Sequence, residues 1–167
     1  GTLYVSAQFS NEVSKVTSLG SVTNYPTTGS SAVGIVVDTF GNIFVGNYSS
    51  GTVTKITPSG VATTFATGLG SPHGMGIDSL NNIYVTDPTN SLIYKISPSG
   101  IVSTIGFSNT NAAYLVLDSF NNVYVAGSSS IYKLTTPILT EVNPIGITTD
   151  TTPDYIFNAK SDATTTA

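Results

Sequence analysis

Residues 71–100 read SPHGMGIDSLNNIYVTDPTNSLIYKISPSG, and residues 31–60 read SAVGIVVDTFGNIFVGNYSSGTVTKITPSG. The two align without a gap at a step of 40 residues. Upstream, LYVSAQFSNEVSKVTSLG from Leu3 keeps the same register, and downstream VYVAGSSSIYKLTT from Val123 keeps it again. Asp38, Asp78 and Asp118 share one position of the unit, as do Val5, Val45, Val85 and Val125, and Lys15, Lys55 and Lys95. Lys133 arrives two residues early because the last unit has a shorter loop. Self-similarity at a fixed step of this length is the mark of a repeat architecture.

Each unit divides into four short strands. Residues 34–37, 74–77 and 114–117 are apolar throughout, which suits an innermost strand buried on both faces. A D-x-x-[GN]-N turn follows, in which the Asp can accept backbone N–H bonds and the Gly or Asn tolerates a left-handed backbone. The second strand is IFV or IYV, and the third is exemplified by residues 92–96. Pro58-Ser59-Gly60 and Pro98-Ser99-Gly100 then form tight hairpins, with Pro presetting φ and Gly60 and Gly100 taking the positive-φ position. Residues 61–65 and 101–105 make the fourth strand, and no stretch sustains a helical apolar period. The expected class is all-β: a partial β-propeller of four-stranded blades.

The run from Pro72 to Gly100 resembles NHL repeats, whose pattern is P-x-G-[apolar]-D-x-x-G-N-I-Y-V-x-D, then a third strand and a glycine turn. The resemblance covers residues 1–136 and implies the propeller fold, with interaction through one face of the disc. Counting from Leu3 gives about three and a half blades, against about four to eight in closed propellers. Further blades from the same chain or self-association would therefore close the ring, and the start in mid-blade favours a fragment of a longer protein. From Pro137 the repeat is lost. Residues 138–142 either supply the last fourth strand or open a new domain. The run LTEVNPIG…TTDTTPDYIFNA is similar to the opening of bacterial Ig-like domains, so residues 137–167 are expected to be a linker and a truncated Ig-like segment.

Composition narrows the chemistry. The chain has 167 residues, of which 40 % are hydrophobic and only 8 % charged, with a mean hydropathy of +0.20. No apolar run is long enough for a membrane span. There is no cysteine, which excludes disulfides and thiolate metal sites. A net charge of −4, five lysines and no arginine argue against nucleic acid, whose binding draws on basic patches. No cofactor motif is present: no glycine-rich phosphate loop opens a helix, and no G-x-S-x-G elbow occurs.

His73 is the single imidazole and falls at the start of an innermost strand, hence at the rim of a propeller channel. It is the candidate ligand-binding residue there. A zinc site needs more ligands and a general base needs a partner, so a structural histidine is the favoured alternative. Asp38, Asp78 and Asp118 recur once per blade, as turn-forming residues do; a unique site would break that symmetry. Asp87 and Asn90 offer oxygens for Ca²⁺, which takes about six to eight, but the equivalent loops, NYSS and AGSS, do not repeat them. The lysines at 15, 55, 95 and 133 are expected to form a solvated outer stripe that discourages edge pairing. Tyr84, Tyr94, Tyr124 and Tyr132 are expected to pack between blades. Asn47-Tyr48-Ser49 is a glycosylation sequon.

These features favour a non-catalytic module that binds protein or carbohydrate, on a large extracellular or cell-surface protein. The alternatives are a lyase or lactonase-like hydrolase with its site in the channel near His73, as in some propellers that NHL repeats resemble, and a purely structural spacer.

Overall fold

Two turns, repeated along the chain, cut it into short antiparallel strands. In the first, one carboxylate oxygen of Asp38, Asp78 or Asp118 accepts the backbone N–H groups two and four residues on, at 2.8–2.9 Å. The other oxygen accepts the side-chain amide of Asn42, Asn82 or Asn122 at 2.7–2.8 Å. Gly41, Asn81 and Asn121 take the left-handed position, at φ 81°, 62° and 63°. In the second turn, the N–H of Gly60 or Gly100 donates to the carbonyl of Thr57 or Ser97, at φ 88° and 86°. Val61 and Ile101 complete this hairpin, so the strands after it begin one residue later than the sequence suggests.

The computed structural model describes residues 1–107, 112–127, 130–135 and 138–142. Blade 1 has three strands, β1 (Thr2–Ala7), β2 (Glu12–Thr17) and β3 (Val22–Pro26). Blade 2 comprises β4 (Ala32–Val37), β5 (Ile43–Asn47), β6 (Thr52–Ile56) and β7 (Ala62–Ala66). Blade 3 comprises β8 (Met75–Ile77), β9 (Ile83–Asp87), β10 (Leu92–Ile96) and β11 (Val102–Phe107). Blade 4 comprises β12 (Tyr114–Leu117), β13 (Val123–Ala126), β14 (Ile131–Thr135) and β15 (Ile138–Val142). Every pairing is antiparallel between consecutive strands. The inner strands β4, β8 and β12 lie side by side. Among the described residues there is no helix, and so none that could cross a membrane. This is a partial β-propeller. Residues 138–142 pair with β14 as the outer strand of blade 4. The Ig-like segment beyond them lies outside the described residues.

Apolar side chains meet between blades rather than within them. Val13, Ile43, Val45 and Ile56 close the seam between blades 1 and 2. Phe44, Val53, Ile83, Val85 and Ile96 close the next, and Tyr84, Ile93, Val123, Val125 and Leu134 the third. A fully buried Ile or Val contributes about 1.5–3 kcal/mol by leaving water, so each seam carries a substantial share of the stability.

Two expectations are corrected. The innermost strands are not buried on both faces: β8 is half-buried along its length and β12 alternates with exposed positions, whereas β5 and β9 are buried at all five. An inner strand has a sheet neighbour on one edge only, while a second strand has one on each edge and a blade on each face. The lysines do not guard an edge either. Lys55, Lys95 and Lys133 stand on third strands, inside their sheets, and are half-buried. Their ammonium groups lie 5.4–5.7 Å from the ring centroids of Phe44, Tyr84 and Tyr124, a cation–π arrangement.

Neighbouring blades are also clasped through their turns. The side-chain amide of Asn81 donates to the Thr39 hydroxyl at 3.0 Å, and its carbonyl oxygen accepts the Thr39 N–H at 3.2 Å. Asn121 makes the same pair of bonds to Ser79, at 2.8 and 3.0 Å. Among the described residues, apolar side chains are exposed on both end blades. Leu3, Val5 and Val22 are exposed on blade 1, and Tyr114, Val116 and Ile131 on blade 4. Gly34 and Gly74 lie directly under the carbonyls of His73 and Ala113, in the loop of the next blade, where a Cβ would collide. Blade 4 has Tyr114 at that position, so a fifth blade in the same register would displace its ring.

Candidate functional site

The loops after the second strands and before the inner strands converge at one end of the arc. Gln8, Tyr48, His73, Pro88, Thr89 and Ala113 line a cleft of about 400 Å³ there. The His73 Nδ1 lies 2.9 Å from the carbonyl oxygen of Ala113, in the next blade. A carbonyl only accepts, so Nδ1 carries a hydrogen and donates it, and Nε2 takes no part in that bond. Tyr114 and Tyr48 stand edge-on to the imidazole, at centroid distances of 5.1 and 6.0 Å. The Tyr48 hydroxyl lies 3.2 Å from that of Thr89, joining two blades across the cleft. Among the described residues, no carboxylate lines it.

Thr86, fully buried, holds this corner. Its hydroxyl accepts the N–H of Gly74 and donates to the Ala113 carbonyl, both at 2.9 Å, while its backbone carbonyl accepts the His73 N–H at 2.9 Å. The loop that carries His73 is thus tied to both blades beside it. Sequence reasoning missed Thr86, Tyr48, Gln8 and Thr89. The available signal was a hydroxyl shared with one other blade: the equivalents of Thr86 are Ser6, Gly46 and Ala126, and Ser6 donates to the Val33 carbonyl at 2.6 Å as Thr86 does to Ala113.

The remaining candidates are placed elsewhere. Asp87 is buried beneath the cleft, and its oxygens accept the N–H groups of Thr89 and Asn90 at 3.1 Å and the Asn90 amide at 2.7 Å. The pair is engaged with itself, and no group of three or more His, Cys, Asp or Glu occurs among the described residues. Burial pushes the Tyr94 hydroxyl pKa up, with the nearby Asp87 charge adding to it. Burial likewise raises Tyr84, against the pull of Lys95. Asp38, Asp78 and Asp118 lie in the turns between inner and second strands, remote from His73 in their bonding. The Asp118 carboxyl is held below its ordinary range chiefly by the Asn122 amide. Tyr84 and Tyr124 donate to Asp78 and Asp118 at 3.2 Å. Tyr84, Tyr94 and Tyr132 lie in the seams, while Tyr124 is half-exposed on the open side of blade 4. The sequon asparagine, Asn47, is fully buried and donates to Thr52 and Thr54, which leaves no room for a glycan in the folded chain.

No protein-family model matches the chain, and neither does the sequence of any curated protein. Solved structures do match. A streptogramin B lyase superposes with a TM-score of 0.78 at 18 % identity, over 87 % of this chain and 52 % of its own. A catalytically inactive histidine-to-alanine variant of virginiamycin B lyase from Staphylococcus aureus, with quinupristin, gives 0.76 at 17 %, over 87 % and 53 %. A nidogen/laminin complex gives 0.71 at 18 %, over 84 % and 61 %. These likenesses establish the propeller fold. The chain spans about half the length of the lyases it matches.

Proposed function

We propose that the chain is a non-catalytic binding module of an extracellular or cell-surface protein, and that the cleft at the channel mouth receives a carbohydrate or an uncharged stretch of protein. The observation that carries this reading is the chemistry of the lining. Gln8, Tyr48, His73 and Thr89 supply hydroxyl, amide and imidazole groups beside aromatic edges, with no carboxylate among them. Such a wall suits hydroxyl-rich ligands that combine hydrogen-bonding rims with C–H faces able to rest on rings. A volume of about 400 Å³ matches two or three sugar units or a short peptide turn. The resemblance to NHL repeats and the presence of a nidogen/laminin complex among the structural neighbours lend support to a protein ligand as well.

The test is a titration of a panel of neutral trisaccharides and of immobilised extracellular-matrix proteins against the chain and its Tyr48→Ala variant. Saturable binding that falls about two- to twelvefold in the variant supports the cleft, since a well-placed aromatic contact is worth about 0.5–1.5 kcal/mol. Binding unaffected by Tyr48→Ala would place the ligand elsewhere.

A second reading is favoured by one observation, that a propeller lyase of this fold is inactivated by loss of a single histidine. Here the Nε2 of His73 could act as a base on an acidic C–H of a bound substrate. This reading requires turnover that His73→Ala abolishes.

A further inference from the structure

Three seams between blades occur in the described residues, so a departure in one of them is visible against the other two. The fourth strand of each blade offers one side chain to its seam at the same position: Tyr25, Phe65 and then Ile105. In the seam between blades 2 and 3, the Phe65 ring lies edge-on to Phe44 at 4.8 Å, and Lys55 Nζ stands 5.7 and 6.0 Å from the two centroids. In the seam between blades 3 and 4, Tyr84 and Lys95 take the places of Phe44 and Lys55, but Ile105 brings no ring. A cavity of about 360 Å³ opens there, lined among the described residues by Tyr84, Lys95, Thr104, Ile105, Asn121, Val123 and Leu134. Lys95 Nζ lies 5.4 Å from the Tyr84 centroid at its edge, and no carboxylate pairs with it among the described residues.

We propose that this seam binds a small aryl carboxylate: the ring enters the space that Phe65 fills in the preceding seam, and the carboxylate pairs with the Lys95 ammonium. The chain itself supplies the precedent, since Phe44, Phe65 and Lys55 are the same constellation with the aryl group built in. Ile105, Val123, Leu134 and the Tyr84 ring supply the apolar wall, Thr104 and Asn121 are its neutral polar groups, and Lys95 is the one cation among the described lining residues. An ammonium already resting on a ring face and lacking a counter-ion gains from a carboxylate at little further cost in ordering. The net charge of −4 opposes anions at long range, which leaves recognition to this short-range contact. The site is separate from the channel-mouth cleft and stands or falls independently of the function proposed above.

The probe is 3-phenylpropionate, titrated into the isotopically labelled chain and followed by amide chemical shifts. The expected result is saturable shifts at Ile105 and Leu134, not at Tyr48 or His73, with a Kd on the order of 1 mM for a ligand of this size. Ile105→Phe should fill the void, keep the melting temperature and weaken binding at least about tenfold. Lys95→Met should weaken 3-phenylpropionate about tenfold while sparing the uncharged 3-phenylpropanol. Phe65→Ile should open the equivalent void and add a second binding equivalent, which keeps the proposal testable if Ile105→Phe does not fold. Absence of saturation by about 10 mM, shifts confined to another surface, unchanged binding by a folded Ile105→Phe, or wild-type stoichiometry in a folded Phe65→Ile would each overturn it.

Discussion

Gly20, Gly60 and Gly100 occupy the same hairpin position in successive blades, at φ 80°, 88° and 86°. Replacing each with alanine imposes the same backbone penalty but three different collisions. A side chain in this left-handed region costs about 1–2 kcal/mol. At Gly20 the new Cβ would meet nothing within 4 Å, because none of the described blades stands against that side of blade 1. At Gly60 it would stand 2.9 Å from a ring carbon of Tyr25, a side chain that can swing aside. At Gly100 it would stand 2.9 Å from the backbone oxygen of Phe65, which cannot move without disturbing β7. Overpacking of this kind adds about 1–3 kcal/mol, so Gly100→Ala is expected to cost about 2–5 kcal/mol in all. Gly20→Ala should cost only the backbone share, and Gly60→Ala should fall between them. At about 2–4 °C per kcal/mol for a chain of this size, the three melting temperatures should separate by several degrees. Thermal melting followed by circular dichroism reads the order directly. Gly100→Val, which adds β-branching at the same place, should be worse still. Equal losses at all three positions would refute the stacking of each hairpin on the strand of the preceding blade.

Three further outcomes are expected. Asn121→Gly keeps the left-handed turn but removes both bonds to Ser79, and should cost about 1 kcal/mol in urea unfolding, whereas Asn121→Ala should cost about twice that by adding backbone strain. The depressed folded pKa of Asp118 contributes stability that is present above the unfolded carboxyl pKa of about 4 and is lost as pH falls through the lower folded value. Acid melts of Asp118→Asn should therefore show a smaller drop over that window than the parent, and an identical drop would contradict the bonding of its turn. Thr86→Val is expected to destabilise the chain by about 1–3 kcal/mol, read by urea unfolding, because it strips the Gly74 N–H of its buried side-chain acceptor and leaves the Ala113 carbonyl with the His73 bond alone.

What could be read from the sequence was whatever recurs. The turns follow from Asp78, Asn82 and Gly100 because each satisfies backbone groups a few residues away, and local bonding leaves a local pattern. The blade count followed from the step between Asp38, Asp78 and Asp118. The partner of His73 was not legible, since it is the backbone carbonyl of Ala113, 40 residues on, and a carbonyl has no residue type. The lysines were misplaced for a related reason. Their position on the third strand was clear, but that this strand lies inside the sheet, with Phe44, Tyr84 or Tyr124 beneath the ammonium, depends on pairing order. The seam cavity shows in the sequence only as an Ile where Tyr25 and Phe65 stand, and its meaning comes from the ring that is missing.

The same logic bears on the end blades. Blade 1 lacks an inner strand and exposes Leu3 and Val5, while blade 4 exposes Val116 beside a pocket of about 360 Å³ that Tyr114 and Ile131 help to line. Surfaces of this kind draw partners. Whatever covers blade 4 must accommodate the Tyr114 ring, which distinguishes it from the internal blades with Gly34 and Gly74 at that position.

The measurement that bears most directly on the functional claim follows both the bound fraction and the chemical integrity of whichever trisaccharide or matrix protein the panel selects, for the chain and its His73→Ala variant. Binding without change in ligand mass, weakened by no more than about fivefold in His73→Ala, is the predicted result, since the imidazole is held by Ala113 and contributes at most one hydrogen bond of about 1 kcal/mol or less. Conversion of the ligand to a new species by the chain, and its loss in His73→Ala, would contradict the account and make the channel mouth an active site.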